Sequence, residues 1–410
     1  MNDLLSRRDV LRGGSLIAVG LVAPPWLSTI AKADVLRIAK GGKATRDTVL
    51  VVCQLNGGND GLNTVIPYAQ KRYYELRPGL GIPADKVLKL DEQMGLHPSL
   101  TGLHELYKSG KVAIIQNVGY PQPNRSHFRS MEIWQSASPD NKMKHGWLGR
   151  YLDEEFDAGI TNPVMALGLS NDQPMALQAT KASVPCFASL ADVQNMIGDP
   201  DMEKMLREIQ GKDAAQGSAT RAVQQASKAA LDSLSILKKQ LGGYAPKQKY
   251  PDGEFGNGFK QIAQIIATSP ATRVVYFSAG GFDTHAKQSD THDKLLKGFG
   301  DAVQAFQAEM ESVGRADKVM VLAFSEFGRR AQENASMGTD HGAAAPMFVI
   351  GKNVKGGLHG PKPDLQNLVD GDVAFTQDFR GVYAASLDKW MGGDSELVLG
   401  QKFAPVAAFG

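Results

Sequence analysis

Five short runs constrain this chain more than anything else in it. They are "DTVLVVCQL" (47–55), "KVAIIQNV" (111–118), "TRVVYFSA" (272–279), "KVMVLAFS" (318–325) and "PMFVI" (346–350). Each is continuously apolar and rich in valine or isoleucine. A strand with one face in water alternates apolar and polar residues; a strand covered on both faces does not. The runs therefore predict a mostly parallel central sheet with helices on both faces. Helical patterns separate them. In "PSLTGLHELYKSG" (98–110), Leu100, Leu103 and Leu106 share a stripe and a glycine stops it. In "HDKLLKGFGDAVQAFQAEMESVG" (292–314), Leu295, Leu296, Phe299, Val303, Phe306 and Met310 recur at helical spacing. Strand and helix in alternation predict an α/β fold.

The stretch between the second and third runs differs. Residues 203–241 are rich in Ala, Gln and Lys and carry the stripe Val223, Ala226, Ala230, Leu234, Leu237, Leu241. They predict two helices parted by "GKDAAQGSAT", within an insertion of about residues 150–270. The length of 410 residues suits one large domain at 46–410 with that insertion, or two ordinary domains. A net charge of +2 with 21% charged residues gives no field for binding nucleic acid. Two cysteines, Cys53 and Cys186, exclude a disulfide framework but leave one bridge open. Cys53, inside an apolar run, reads as a small buried side chain.

The N-terminus is a targeting segment. Arg7 and Arg8 precede an apolar stretch from Ser15 to about Ile30, and Ala31-Lys32-Ala33 forms a cleavage signal. Residues 1–33 are therefore expected to be a twin-arginine signal peptide, with the twin-arginine export machinery as a partner. A retained membrane anchor is the alternative, but Pro24 and Pro25 suit a spanning helix poorly. The mature protein is expected to be periplasmic or otherwise exported from a bacterial cell, without a stable membrane span.

Chemistry gathers just past the strands. Asp60 follows the first, in "NGGNDGLNT". Arg125, Ser126 and His127 follow the second, in "PNRSHFRS". Asp283 and His285 follow the third, in "GGFDTHAKQ", and Glu326 follows the fourth, in "EFGRR". Asp340 and His341 lead into the fifth, in "MGTDHGAAAPMFVIG". Ligands of open parallel sheets lie outside the carboxyl ends of the strands, so these groups are expected to converge on one edge. Singly, most have plain explanations: a turn at Asp60, helix caps at Ser126 and Asp283, loop solubility at Asp340 and His341. Glu326 is less easily dismissed, because a carboxylate directly after an apolar strand is costly unless paired or metal-bound. Of the other histidines, His97, His104 and His145 read as structural, His359 as a surface loop, and His292 as either.

Asp60, Asp283, His285, Glu326, Asp340 and His341 are thus the expected metal ligands. Such a set suits divalent Zn, Mn, Mg or Ca. Two such ions would clamp a phosphoryl or sulfuryl oxygen between them. Ser126 at a helix N-terminus is placed to attack, and Arg125 to hold a non-bridging oxygen. With water as the nucleophile instead, His127 or His285 would be its base.

This order of parts resembles the alkaline phosphatase superfamily. More closely, the chain resembles the DUF1501 proteins, an exported bacterial family of unknown function, many of which begin with a twin-arginine signal. The matching stretches are "LNGGNDGLNTVIPY", "LRPGLGI", "GLHPSL", "NRSHF", "HGWLGR", "GGFDTHAKQ", "FSEFGRR" and "GTDHG", from about residue 48 to 360. The resemblance implies an alkaline-phosphatase-like fold and a hydrolase of phosphate or sulfate esters using one or two divalent ions. Small-molecule or glycan esters would be its substrates. It makes Asp60 the first metal carboxylate, Ser126 the nucleophile, Asp283 and His285 a ligand pair, Glu326 the strand-ending carboxylate and His341 the late histidine. Two departures stand out: the usual Asp-x-x-x-His is here Asp-Thr-His, and Glu326-Phe327 replaces Asp-His. Asp340 or His127 would supply the missing group. A non-catalytic exported metal- or ligand-binding protein on the same fold is the alternative.

Replacing Arg7 and Arg8 together with Lys is expected to leave unprocessed precursor in the cytoplasm. Immunoblotting of cell fractions checks this, and normal processing of the double variant would count against the twin-arginine route.

Overall fold

A computed structural model describes residues 47–191 and 244–409, with single positions 201, 204, 208, 224 and 236 between them. The targeting segment lies outside the described residues, as do nearly all of the helices expected within 203–241. All five apolar runs are strands: β1 (Val49–Leu55), β2 (Val112–Gly119), and, further on, Val274–Ala279, Val319–Phe324 and Ala345–Gly351. Two shorter strands precede the third run, β3 (Ala166–Leu169) and β4 (Cys186–Phe187). The remaining three runs are therefore β5, β6 and β7, followed by β8 (Gly357–His359) and β9 (Gln377–Asp378).

The sheet order is β8-β2-β7-β6-β1-β5-β3-β4, with β9 also paired to β2. Strand β1 lies at the centre, parallel to β5 on one side and β6 on the other, with Leu50 opposite Val274 and Val51 opposite Val321. One strand is reversed. β7 runs antiparallel to both β2 and β6. Its start therefore lies at the edge where β1, β2, β5 and β6 end. A parallel β7 would have sent Asp340 and His341 to the opposite edge.

The expected insertion at about 150–270 is described only in part, at 150–191 and 244–270. Its described residues add β3 and β4 to the sheet, parallel to β5 and to each other, and a helix, Glu254–Thr268, to the sheet's face. Runs of four and two residues are too short to show as strands in an apolar pattern.

Helices cover both faces of the sheet. On one, Val49, Val51, Cys53 and Leu55 pack with α1 (Thr101–Lys108) and with the helices Glu254–Thr268 and Gln288–Ser312. On the other, Leu50 and Val52 pack with α2 (His127–Ser136), α3 (Trp147–Asp157) and the helix Phe379–Ala385. In chain order the last three named helices beyond α3 are α4 (254–268), α5 (288–312) and α6 (379–385). Leu296, Phe299, Val303, Phe306 and Met310 of α5 are buried, as their spacing predicts. The alternation of β1 residues between two cores is why its sequence is apolar but for Gln54, which bonds Gln135 and Tyr276. Cys53 is buried, and both cysteines are free. Among the described residues no helix is long and apolar enough to cross a membrane.

The turn after β1 depends on Gly57. Its φ is +119°, and a Cβ there would lie 2.5 Å from the Asp283 nitrogen. The backbones after β1 and β5 therefore touch only because this side chain is absent. Gly57→Ala combines a forbidden φ with a backbone collision and is expected to cost about 2–3 kcal/mol. Chemical denaturation checks this; a loss below about 0.5 kcal/mol would mean that the two turns do not meet this closely.

Candidate metal centre

Helix α2 is anchored far from its first residue. Trp134 stacks on Phe324 of β6 at 5.2 Å between centroids and on Phe379 at 4.4 Å. Ser130 donates to the Glu326 carbonyl. With the helix so fixed, His127 is held above the end of β6. There Glu326, fully buried, accepts from His127 Nδ1 at 2.8 Å and from the Gly57 amide at 2.9 Å. The carboxylate that looked costly after an apolar strand is paired with an imidazole and a turn amide.

Three histidines share one arrangement. His127 Nδ1 faces Glu326 Oε1 at 2.8 Å. His341 Nδ1 faces the Arg125 carbonyl at 2.7 Å, and His285 Nδ1 faces Asp340 Oδ1 at 3.0 Å. Carboxylate and carbonyl oxygens accept, so each Nδ1 carries a hydrogen, and a ring in its neutral form turns its Nε2 lone pair the other way. All three Nε2 atoms turn to Asp283. His285 Nε2 is 3.0 Å and His341 Nε2 3.2 Å from its Oδ1; His127 Nε2 is 3.4 Å from its Oδ2. His285 Nε2 and His341 Nε2 are only 2.9 Å apart. Two lone pairs at that distance repel unless a cation, a proton or a metal ion, lies between or beside them. His127 Nε2 is buried and makes no hydrogen bond. Donor atoms of His127, Asp283 and His341 all lie within 4.8 Å of one another.

Charge around the cluster is arranged by Arg329. Its Nη2 donates to Asp283 Oδ1 at 2.6 Å. Burial opposes ionisation of Asp283. The hydrogen bond and the charge of Arg329 outweigh it and bring its pKa down to about 2. The Glu326 hydrogen bond raises the pKa of His127 against the effect of burial. Hydrogen bonds from His285 and Asn334 lower that of Asp340.

Asp283, His285 and His341, expected as ligands, do come together, and His127, expected in catalysis, joins them. Glu326 and Asp340 stand one step behind, bonded to imidazoles of the cluster. Asp60 is not in the cluster. It is fully buried; Oδ2 accepts from Arg77 at 2.6 Å and from Gln288 at 2.5 Å, and Oδ1 from the Asn63 amide at 3.3 Å. Its pKa is lowered because the charge and hydrogen bond of Arg77 overcome burial. Three of the roughly four acceptor sites of this carboxylate are taken by protein donors, and it lies away from the three histidines. His292, beside it, bonds Asn59 at 2.9 Å, and burial drives its pKa down to about 3, which makes it a neutral structural histidine. His97 is likewise buried, with Nε2 3.1 Å from Asp293.

Ser126 is the N-cap residue of α2, yet its side chain makes no capping bond. It is exposed, and its amide donates to Asn124 Oδ1 at 2.9 Å. The plain explanation for this serine is therefore missing from the structure. Arg125 is held by Asp372, with Nε at 3.1 Å. The residues that sequence reasoning passed over are Arg77 and Arg329. Arg329 had a signal, a paired arginine in "EFGRR" straight after a buried strand; Arg77 had none beyond "LRPG".

Because Asp60 pairs with Arg77 in the interior, Arg77→Met would leave a buried carboxylate without its cation. A loss of about 3–5 kcal/mol is expected. The depressed Asp60 pKa also sets a sign. Its contribution is fully present above the unfolded carboxylate pKa and fades as pH falls through the folded one. The stability gap between wild type and Arg77→Met should therefore narrow on acidification below about pH 4. Denaturation curves at neutral and acid pH check both, and a pH-independent gap would remove the Asp60 account.

Comparison with known proteins follows from this geometry. The C-terminal periplasmic domain of EcEptC from Escherichia coli, in complex with Zn, is similar at 8% identity and a TM-score of 0.36, over 74% of this chain and 72% of that one. The PsFucS1 sulfatase from Pseudoalteromonas sp. is similar at 11% identity and 0.35, over 91% and 72%. A protein of the alkaline phosphatase superfamily from Vibrio parahaemolyticus is similar at 10% and 0.34, over 91% and 78%. No curated protein matches. A family profile described as "Protein of unknown function (DUF1501)" matches residues 46–383, which is most of the chain and all of the strands and turns that build the cluster. The chain belongs to the DUF1501 family.

Proposed function

We propose that this is an exported, metal-dependent hydrolase of phosphate or sulfate esters, with one divalent ion held by His127, Asp283, His285 and His341. The observation that carries it is the shared orientation of three imidazoles. Each gives its Nδ1 hydrogen to a fixed acceptor and turns Nε2 to one carboxylate. A solvated polar patch has no need of three such acceptors; metal-ligating histidines characteristically have them. Three nitrogens and one oxygen suit Zn or Mn better than Mg or Ca, which favour oxygen ligands. Asp60, Glu326 and Asp340 then support the centre rather than enter it.

When bound, the ion supplies Lewis acidity toward an ester oxyanion. The chain supplies the rest. Glu326, the Arg125 carbonyl and Asp340 fix the tautomer and angle of each ligand ring. Ser126, exposed at the start of α2 and free of a capping bond, offers a hydroxyl beside His127 as the attacking group. Arg329 offsets the charge of Asp283, which keeps the centre attractive to an anion.

His341→Ala is expected to lower bound metal several-fold. It should also remove the stabilisation that the ion gives the folded state, about 2.7 kcal/mol at a hundredfold excess over Kd. Ser126→Ala is expected to leave metal and melting temperature within error of wild type and to abolish turnover. Elemental analysis of protein purified without chelator, calorimetric melting and a screen of phosphate and sulfate esters, all on the same samples, check these. Full turnover by Ser126→Ala would exclude the covalent route, and wild-type protein without metal would exclude the centre.

A further inference from the structure

Among the described residues, five large apolar side chains are exposed: Phe128, Phe156, Met337, Val369 and Leu397. Two of them, Phe128 and Met337, stand on segments that build the metal centre, and Val369 stands on a neighbouring turn. Phe128 directly follows His127 and is 88% exposed. Met337, 56% exposed, lies in a turn held against the cluster: Asn334 Nδ2 donates to the His285 carbonyl at 2.9 Å, and the Met337 carbonyl accepts from the Gln288 amide at 2.9 Å. Val369 pairs across its turn with Asp372, the carboxylate that holds Arg125. The other two stand on the helices 147–157 and 395–399, which carry no residue of the centre.

An apolar side chain exposed singly on a protein surface needs no explanation. Two on segments that adjoin one polar cluster do. Met337 adds a second oddity, because its φ is +54°. A glycine would hold that left-handed turn without strain. The position instead carries a strained backbone and an exposed thioether. The charged neighbours are arginines: Arg125 and Arg330 share Asp372, and Arg329 lies behind Asp283. The segments around the cluster therefore carry both anion-attracting and exposed apolar side chains.

Resting on the metal-centre reading above, we infer that the oxyanion taken there belongs to an amphiphilic ester whose aryl or alkyl group lies against Phe128 and Met337. The two side chains flank the cluster from α2 and from the 334–338 turn. They contact the group beyond the scissile bond and set specificity without touching the reacting atoms.

The test compares two metal-binding anions that differ only in the apolar group, methylphosphonate and phenylphosphonate. Each is titrated calorimetrically into the zinc-loaded full chain, with zinc measured on the same sample. Phenylphosphonate is expected to bind about tenfold tighter, the gain from covering on the order of 55 Å² of apolar surface at about 25 cal/mol per Å². In the double variant Phe128→Ser, Met337→Ser that advantage should vanish, while zinc content and methylphosphonate affinity stay unchanged. Equal affinities in the wild type overturn the inference and leave the metal centre standing. An advantage that survives the double substitution, or zinc-loaded protein that binds neither anion, does the same. Wild-type protein that takes up no zinc overturns the metal reading and this inference with it. Binding to phosphatidylcholine vesicles that is lost in the double variant, with equal phosphonate affinities, would assign these side chains to a lipid surface instead.

Discussion

One guanidinium ties the working edge of this protein together. Arg329 is buried, and it donates to the carbonyls of Gly57, Gly58, Phe282 and Thr339 and to Asp283. Those acceptors belong to the turn after β1, the turn after β5 and the loop that leads into β7. Arginine has five N–H groups in a rigid plane, and here they reach three separate loops. Lysine, a point charge on a flexible stem, could not hold the same set. Because four of the acceptors are backbone carbonyls, the clamp fixes main chain, and the main chain then fixes Asp283, His285 and His341.

The rest of the edge repeats this logic. Arg77 bonds Asp60, Asn63 and the carbonyls of Arg330 and Ala331, so it ties the helix opened by Asp60 to the loop after β6. Glu326 holds the Gly57 amide and His127 together. The imidazoles of the cluster are thus positioned by partners that are themselves positioned. Buried polar networks of this kind are favourable only when they are complete. That explains why so many charged groups can lie at the end of a wholly apolar sheet.

The strands were legible because each is covered on both faces, which leaves a continuous apolar run in the sequence. The short β3 and β4 were not, since four and two residues carry too little pattern. The location of the site was legible from topology alone: polar residues just past apolar strands fall on one edge. The roles were harder to read. Asp60 and Asp283 look alike in sequence, each beside a turn after a strand. What separates them is Arg77, seventeen residues on, which pairs with one, and the three imidazoles, from distant segments, which surround the other. The reversal of β7 was also hidden, because a buried antiparallel strand shows the same apolar run as a parallel one. That reversal accounts for the place of "GTDHG". Gly338 lets the loop press against the backbone of His285, and the antiparallel strand that follows brings Asp340 and His341 to the same edge as the rest.

The change from the expected ligands to the observed cluster has a consequence for charge. A set of Asp60, Asp283, Glu326 and Asp340 would surround a dication with four negative charges and leave it little attraction for an oxyanion. The cluster instead presents one carboxylate, already paired with Arg329, and imidazoles whose balancing carboxylates sit behind them. Glu326 and Asp340 lie one ring further from the centre, and Coulomb attraction falls with that distance. In the proposed centre a bound dication therefore keeps more of its charge for an incoming anion. The two histidine nitrogens 2.9 Å apart are then a donor pair for a cation, and the absence of Asp60 from the cluster becomes a requirement of anion chemistry.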